Sequence, residues 1–503
     1  MTMNTYSRTP AITLGLLAIL LGPARPVGAF SGCPGSGQQS SGPDLITGAI
    51  GGFEGFWSND ILNYHSSGGI AAFSVFAAAC NMGDQQVVWD GESNNHPVIA
   101  QNCFRLKTVN GSTRIEQLGQ SWLKHGFAAG QFTTCCVTCE PAEDWYHLGL
   151  GCADPYSASQ NGTQSDLGPK WRVNPTTGIH IDSVTSPPWS DSVARRLQVN
   201  ITDLEVSDFV SSPTKYFVEV QYVTADDALA GNGGDNASYR PLAVSGGGTS
   251  WWFDLFGDDD AQIRRRSPGI LAWSEYDTDV HIADMTTPED AGLFARVILA
   301  GKATALGNGQ WHYEYAVQNI NSDRSIYSLA VPVSRYATVT NIDFHDVDYH
   351  SGDGIDNVTT DGTDWPGVRS VSAEQIAWAV TQTYAENANG NALRWGTMYN
   401  FRFDCNLPPA AIDGSVSLTQ FKPGAQTMVG ANVVPQAVTC LPGDMNADEL
   451  IDGHDIARFT DLLVGGGGTT TERCAGDREA SPDSFIDMDD MEGFVACVLA
   501  AGC

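Results

Sequence analysis

Oxygen-bearing side chains recur along residues 443–503 at a spacing suited to a hard cation. With Asp444 as position one of a twelve-residue loop, Asp444, Asn446, Asp448, Asp452 and Asp455 fall at positions one, three, five, nine and twelve. Ca²⁺ takes six to eight oxygens, and EF-hand loops supply them from alternate positions; position seven gives only a backbone carbonyl. Leu450 stands there. Two departures weaken the pattern. Glu449 replaces the glycine expected at position six, where a side chain resists the left-handed turn by about 1 kcal/mol. Asp455 replaces the longer Glu at position twelve. A second unit is less regular: counting back from Asp490 places Asp487 at nine, Phe485 at seven, Asp483 at five, Ser481 at three and Glu479 at one. Asp477 takes the first place only if that loop is two residues longer, and weak or no binding is expected there.

Both loops need short helices to hold them. Ile456, Phe459, Leu462 and Leu463 follow the first with helical spacing, and Met491, Phe494, Val495, Val498 and Leu499 follow the second. Two loop-plus-helix units without entering helices resemble a type I dockerin, over residues 440–503. The resemblance implies that the acidic residues ligate Ca²⁺ and that the helices meet a cohesin-type partner. A calcium-stabilised cap without a docking partner, and a metal-free acidic tail, remain the plainer readings.

A second candidate site lies in the body. His345, Asp346, Asp348 and His350 are close in sequence, and on an extended strand Asp346, Asp348 and His350 share one face. With His96 or His125 brought alongside, imidazole and carboxylate together suit copper, zinc or iron. A calcium loop at Asp353 to Asp364, or ordinary solvated side chains, explain the same residues. Glu275 and Glu314 are eligible as paired carboxylates for glycoside cleavage, but 58 acidic residues make eligibility cheap. Thirteen tryptophans, Trp251, Trp252 and Trp365 among them, offer sugar platforms or core. No nucleophile elbow, His-Glu-x-x-His or phosphate-binding glycine loop occurs in the sequence.

Composition bounds the setting. The formal charge of −32 repels phosphate backbones, so nucleic acid is not an expected partner. Met1 to Ala29 reads as an export signal: Arg8, a short apolar run from Ile12 to Leu21, and small residues at Val27 to Ala29. No stretch is long enough for a transmembrane segment. Twelve cysteines in an exported chain favour disulfides, with Cys440, Cys474, Cys497 and Cys503 able to close the tail as two bridges. Cys135, Cys136, Cys139 and Cys152 would suit zinc only in a reducing compartment.

The body reads as mainly β. Alternating stretches at 101–106, 216–222, 311–317, 325–332, 338–344 and 399–403 are separated by Gly, Asn and Asp. The expected architecture is a Cys-containing β-rich region at 30–200, either a separate β domain or part of the same sheet system, a β-sandwich at 201–436 and the helical module at 440–503. The segments Gln120–Phe127, Gly151–Tyr156 and Phe344–His350 resemble exported proteins of planctomycete-like bacteria, a resemblance that implies a compartment and does not point to any one activity. Two functions follow. One is a secreted calcium-binding protein whose tail docks or displays a β body for polysaccharide binding or degradation. The other is a secreted copper- or zinc-dependent oxidoreductase or hydrolase acting on an extracellular polymer.

Overall fold

The alternating stretches form strands because β-branched and aromatic residues recur on one face of each and pack on a neighbouring sheet. The computed structural model describes residues 40–52, 60–135, 138–181, 191–257 and 262–503; the expected export signal, Cys33 and Cys136 lie outside the described residues. Ten strands form the largest sheet, whose centre pairs Lys215–Val223 with Val98–Val109 and the latter with Ser112–Gln120. Its outer strands include Ser250–Leu255 on one side and Ile61–Ser67 on the other. A three-stranded sheet contains Leu45–Ile50, Ala77–Asn81 and Ala153–Tyr156.

Two five-stranded sheets make the sandwich. One runs from His281–Pro288 through Phe294–Gly307, Gln310–Asn319 and Thr397–Cys405 to Val339–His345; the other contains Ile326–Pro332, Gly414–Gln420 and Thr427–Asn432. Between them Tyr313, Tyr315, Val317, Leu329, Trp378 and Phe401 are buried in one core. The buried tyrosine hydroxyls are satisfied: Tyr313 donates to the Leu407 carbonyl and Tyr315 to the Val433 carbonyl, at 2.9 and 2.6 Å. The opposite face of the Gln310–Asn319 strand is buried too. Ala316 packs in a core with Phe104 and Phe217 of the large sheet, and Glu314 pairs with Arg114 at 2.6 Å.

The expected boundary at residue 200 is therefore misplaced. Leu197–Asn200 and Lys215–Val223 belong to the same sheet, which continues to Leu255, and the sandwich begins at His281. The strands on either side of that point alternate alike, so alternation carries no sign of which sheet a strand joins. Two tight hairpins turn at Asn110-Gly111 and Asn308-Gly309, which have positive φ at both residues, as two-residue turns between twisted strands require.

Among the described residues four disulfides join Cys80 to Cys135, Cys139 to Cys152, Cys440 to Cys474 and Cys497 to Cys503. Cys135, Cys139 and Cys152 are thus taken up in bridges, which leaves no cysteine zinc cluster there. Cys103 and Cys405 are buried free thiols, each on a central strand. Among the described residues no helix is long and apolar enough to cross a membrane.

Candidate functional site

The tail residues form two loops with the same internal wiring. In the first, Asp455 accepts hydrogen bonds from the Met445, Asn446 and Asp452 N–H groups at 2.7, 3.2 and 2.9 Å. Asp444 accepts from the Asp448 and Glu449 N–H groups at 3.2 and 2.9 Å. In the second, Asp490 accepts from the Arg478, Glu479 and Asp487 N–H groups, and Asp477 accepts from the Ser484 N–H at 2.7 Å. Asp477 thus occupies the place of Asp444 in a loop two residues longer, and Glu479 does not. Glu449 and Ser484, at φ +67° and +76°, make the same left-handed turn without glycine. The lighter loop residues also match: Asp448 caps the Leu450 N–H and Asp483 the Phe485 N–H, both at 2.9 Å.

The donor set suits a hard divalent cation. Asp477 is fully buried and its Oδ1 has no hydrogen-bond partner. Burial, with Asp490 and Asp483 nearby, pushes its carboxyl up to about 6. An unpaired buried carboxylate oxygen is costly unless a cation or proton compensates it. Asp444, Asn446, Asp448, Asp452 and the Leu450 carbonyl are the oxygens that would face such an ion in the first loop; Asp477, Asp483, Asp487 and the Phe485 carbonyl would do so in the second.

Helices Asp455–Gly465 and Met491–Ala500 follow the loops, with Thr470–Gly476 between them. Met445, Phe459, Leu462, Ile486 and Phe494 form a small core. Outside it lies an apolar groove of ≈ 280 Å³ whose rim includes Ile456, Met491, Val495 and Leu499, all exposed. The second loop and the helix before it also touch the sandwich: Arg335 donates to the Pro482 carbonyl at 3.0 Å, and Arg473 to the Tyr336 carbonyl at 2.6 Å.

The His345–His350 stretch does not form the expected cluster. Its strand ends at His345, so the period-two alternation does not extend to His350. Asp348 is exposed, whereas His350 is buried with Nε2 2.6 Å from the Gln120 carbonyl. Burial lowers His350 to about 4 and raises Asp346 to about 7, Asp346 accepting a bond from Asn391. His345 is lowered by burial, Glu116 and Asp203 opposing, and its Nε2 has no partner. Asp353 accepts from the Thr360 hydroxyl at 2.9 Å. Beside His350 opens a cleft of ≈ 220 Å³ with Trp122, Trp171, Trp395 and Lys170 in its wall. Desolvation lowers the Lys170 ammonium to about 8.

His96 and His125 come together without any of those residues; their third neighbour is His180. His96 lies just before the strand Val98–Val109, and His125 ends the strand Leu123–His125, paired opposite Val98. His180 is placed by an isolated bridge to Val173. His96 Nε2 is 2.7 Å from His125 Nδ1, and His96 Nδ1 is 2.7 Å from the Ser93 carbonyl. Burial lowers all three imidazoles, His180 to about 4. Sequence reasoning missed His180 because nothing in its local pattern marks it; Val173, bridged to His180, packs with Val98 and Leu123, and Asn94 donates to the His180 carbonyl at 3.4 Å, which carries it to the other two.

No protein-family profile and no curated protein matches the chain. Among solved structures, two complexes of exo-chitosanase CsxA variants from Amycolatopsis orientalis with PNP-beta-D-glucosamine are similar at 9% identity and a TM-score of 0.14. The alignments cover 74% of this chain and 26% of the other, so the chain spans about a quarter of that protein's length.

Proposed function

We propose that residues 440–503 are a two-site calcium module that docks the β body onto an extracellular protein partner of the cohesin type. The observation that carries this reading is the repeated wiring of Asp444 with Asp455 and Asp477 with Asp490. Ca²⁺ neutralises each acidic loop and holds the following helix in place; the apolar groove between the helices is the docking face. The disulfides suit an oxidising, calcium-containing exterior. The body is the cargo, and the cleft walled by Trp122, Trp171 and Trp395 is where a polysaccharide ligand would lie.

Titration of Ca²⁺ into the chelator-stripped full chain tests the reading. Two equivalents should bind, and proteolysis within 444–490 should slow on binding. Absence of both heat and protection refutes it.

A further inference from the structure

Three histidines from separate parts of the chain meet in the interior of the N-terminal sheet system. His96, His125 and His180 are 3%, 4% and 4% exposed, and one ring nitrogen of each lies within 4.8 Å of one from each of the others. The His180 ring stands nearly perpendicular to both other rings, with centroids 4.7 and 5.2 Å away. A metal with nitrogen ligands at about 2.0–2.1 Å in tetrahedral array separates those nitrogens by roughly 3.3 Å. The spacings present, from 2.7 Å to at most 4.8 Å, bracket that value.

Two features separate this group from an ordinary buried histidine cluster. The first is His180, both of whose ring nitrogens are buried without a hydrogen-bond partner. A buried imidazole left wholly unpaired is destabilising, and three such rings could have been satisfied by one another or by backbone. The second is His96, whose Nδ1 donates to the Ser93 carbonyl. A donating Nδ1 fixes the tautomer that presents the Nε2 lone pair, here toward the other two rings, as in metal-ligating histidines. Crowding at His125 is relieved by Gly168, where a Cβ would stand 2.8 Å from His125 Nε2. The neighbouring Lys124 ammonium is engaged by Asp166 at 3.0 Å.

We propose that His96, His125 and His180 bind one divalent first-row transition-metal ion of the Zn²⁺ class through their ring nitrogens. Imidazole nitrogen is borderline in softness and suits Zn²⁺, Co²⁺ or Cu²⁺, not Ca²⁺, so this centre is chemically separate from the acidic tail. Among the described residues no carboxylate, thiol or fourth histidine joins the group. The remaining coordination position belongs to water or another small exchangeable ligand. The ion ties the loop before Val98 to the end of Leu123–His125 and to the segment ending at His180.

The test uses the full chain, stripped with chelator and then held in saturating Ca²⁺ so that the tail carboxylates are occupied. Co²⁺ should bind with one equivalent, produce the visible bands of a low-coordinate site and be displaced by Zn²⁺. His180→Ala should weaken Co²⁺ binding by roughly 100-fold or more while leaving calcium uptake unchanged. X-ray absorption of the Zn²⁺-loaded parent reads the site without any variant, and should show imidazole scattering with nitrogen at about 2.0 Å. No Co²⁺ uptake by the folded parent, undiminished uptake by folded His180→Ala, or a Zn²⁺ spectrum without imidazole overturns the proposal.

Discussion

The rings of Phe459 and Phe494 lie face to face, with centroids 3.8 Å apart and 3° between their planes. Each stands four residues after the aspartate that closes its loop, so the stack joins the two halves of the tail at equivalent points. Buried aromatic truncation leaves a cavity as well as losing transfer energy. Phe459→Ala should therefore destabilise the tail by about 3 kcal/mol. Denaturant unfolding in Ca²⁺, followed by proteolysis of the tail, measures the loss.

Position one of the second loop belongs to Asp477, and this separates two substitutions that look alike in sequence. Asp477→Ala should remove one of the two calcium equivalents, because it deletes a buried donor oxygen. Glu479→Ala should leave both, since Glu479 contributes its N–H to Asp490. Calorimetric stoichiometry distinguishes them, and equal loss in the two variants contradicts the loop assignment.

Cys440 and Cys474 are 34 residues apart and tie the start of the tail to the helix Thr470–Gly476. A bridge closing a loop of that length stabilises by about 3–4 kcal/mol in the chain-entropy account. The paired replacement Cys440→Ser and Cys474→Ser should lower the tail's unfolding midpoint accordingly, with the sandwich unaffected. Limited proteolysis across a denaturant series reads both regions.

Glu116 sets an acid limit in the large sheet. Burial alone would raise its carboxyl, but Arg105 and Lys107, each at 2.8 Å, outweigh it and hold the group at about 2. A folded-state value below the ordinary 4.5 adds stability above that pH, and this contribution is lost as pH falls toward 2. Glu116→Gln should be less stable than the parent near neutrality, with the difference shrinking between about pH 4 and 2. Thermal unfolding across that range checks the sign.

Gly168 faces His125 Nε2 at a distance that admits no side chain. Gly168→Ala should displace the His125 ring and weaken Co²⁺ uptake, while calcium stoichiometry stays at the parental value. Metal titration of the folded variant decides it.

The helices after both loops, the strands of the body and the four tail cysteines that form two bridges were readable from the chain alone. Each is a local pattern: period along an element, or a few thiols confined to a short segment. Tertiary structure decided the rest. A twelve-residue count back from Asp490 lands on Glu479, and only the backbone donors at Arg478, Glu479 and Ser484 decide for Asp477 and the longer loop. Sheet pairing opposite Val218 and Trp311 buries Cys103 and Cys405 in separate places, so both stay reduced although an even count favoured pairing. His180 joins His96 and His125 because Val98 pairs with His125 and Val173, bridged to His180, packs with Val98 and Leu123, contacts between segments far apart in the chain. Such meetings follow from which strand pairs with which, and strand choice is set by burial of whole faces, which no single segment encodes.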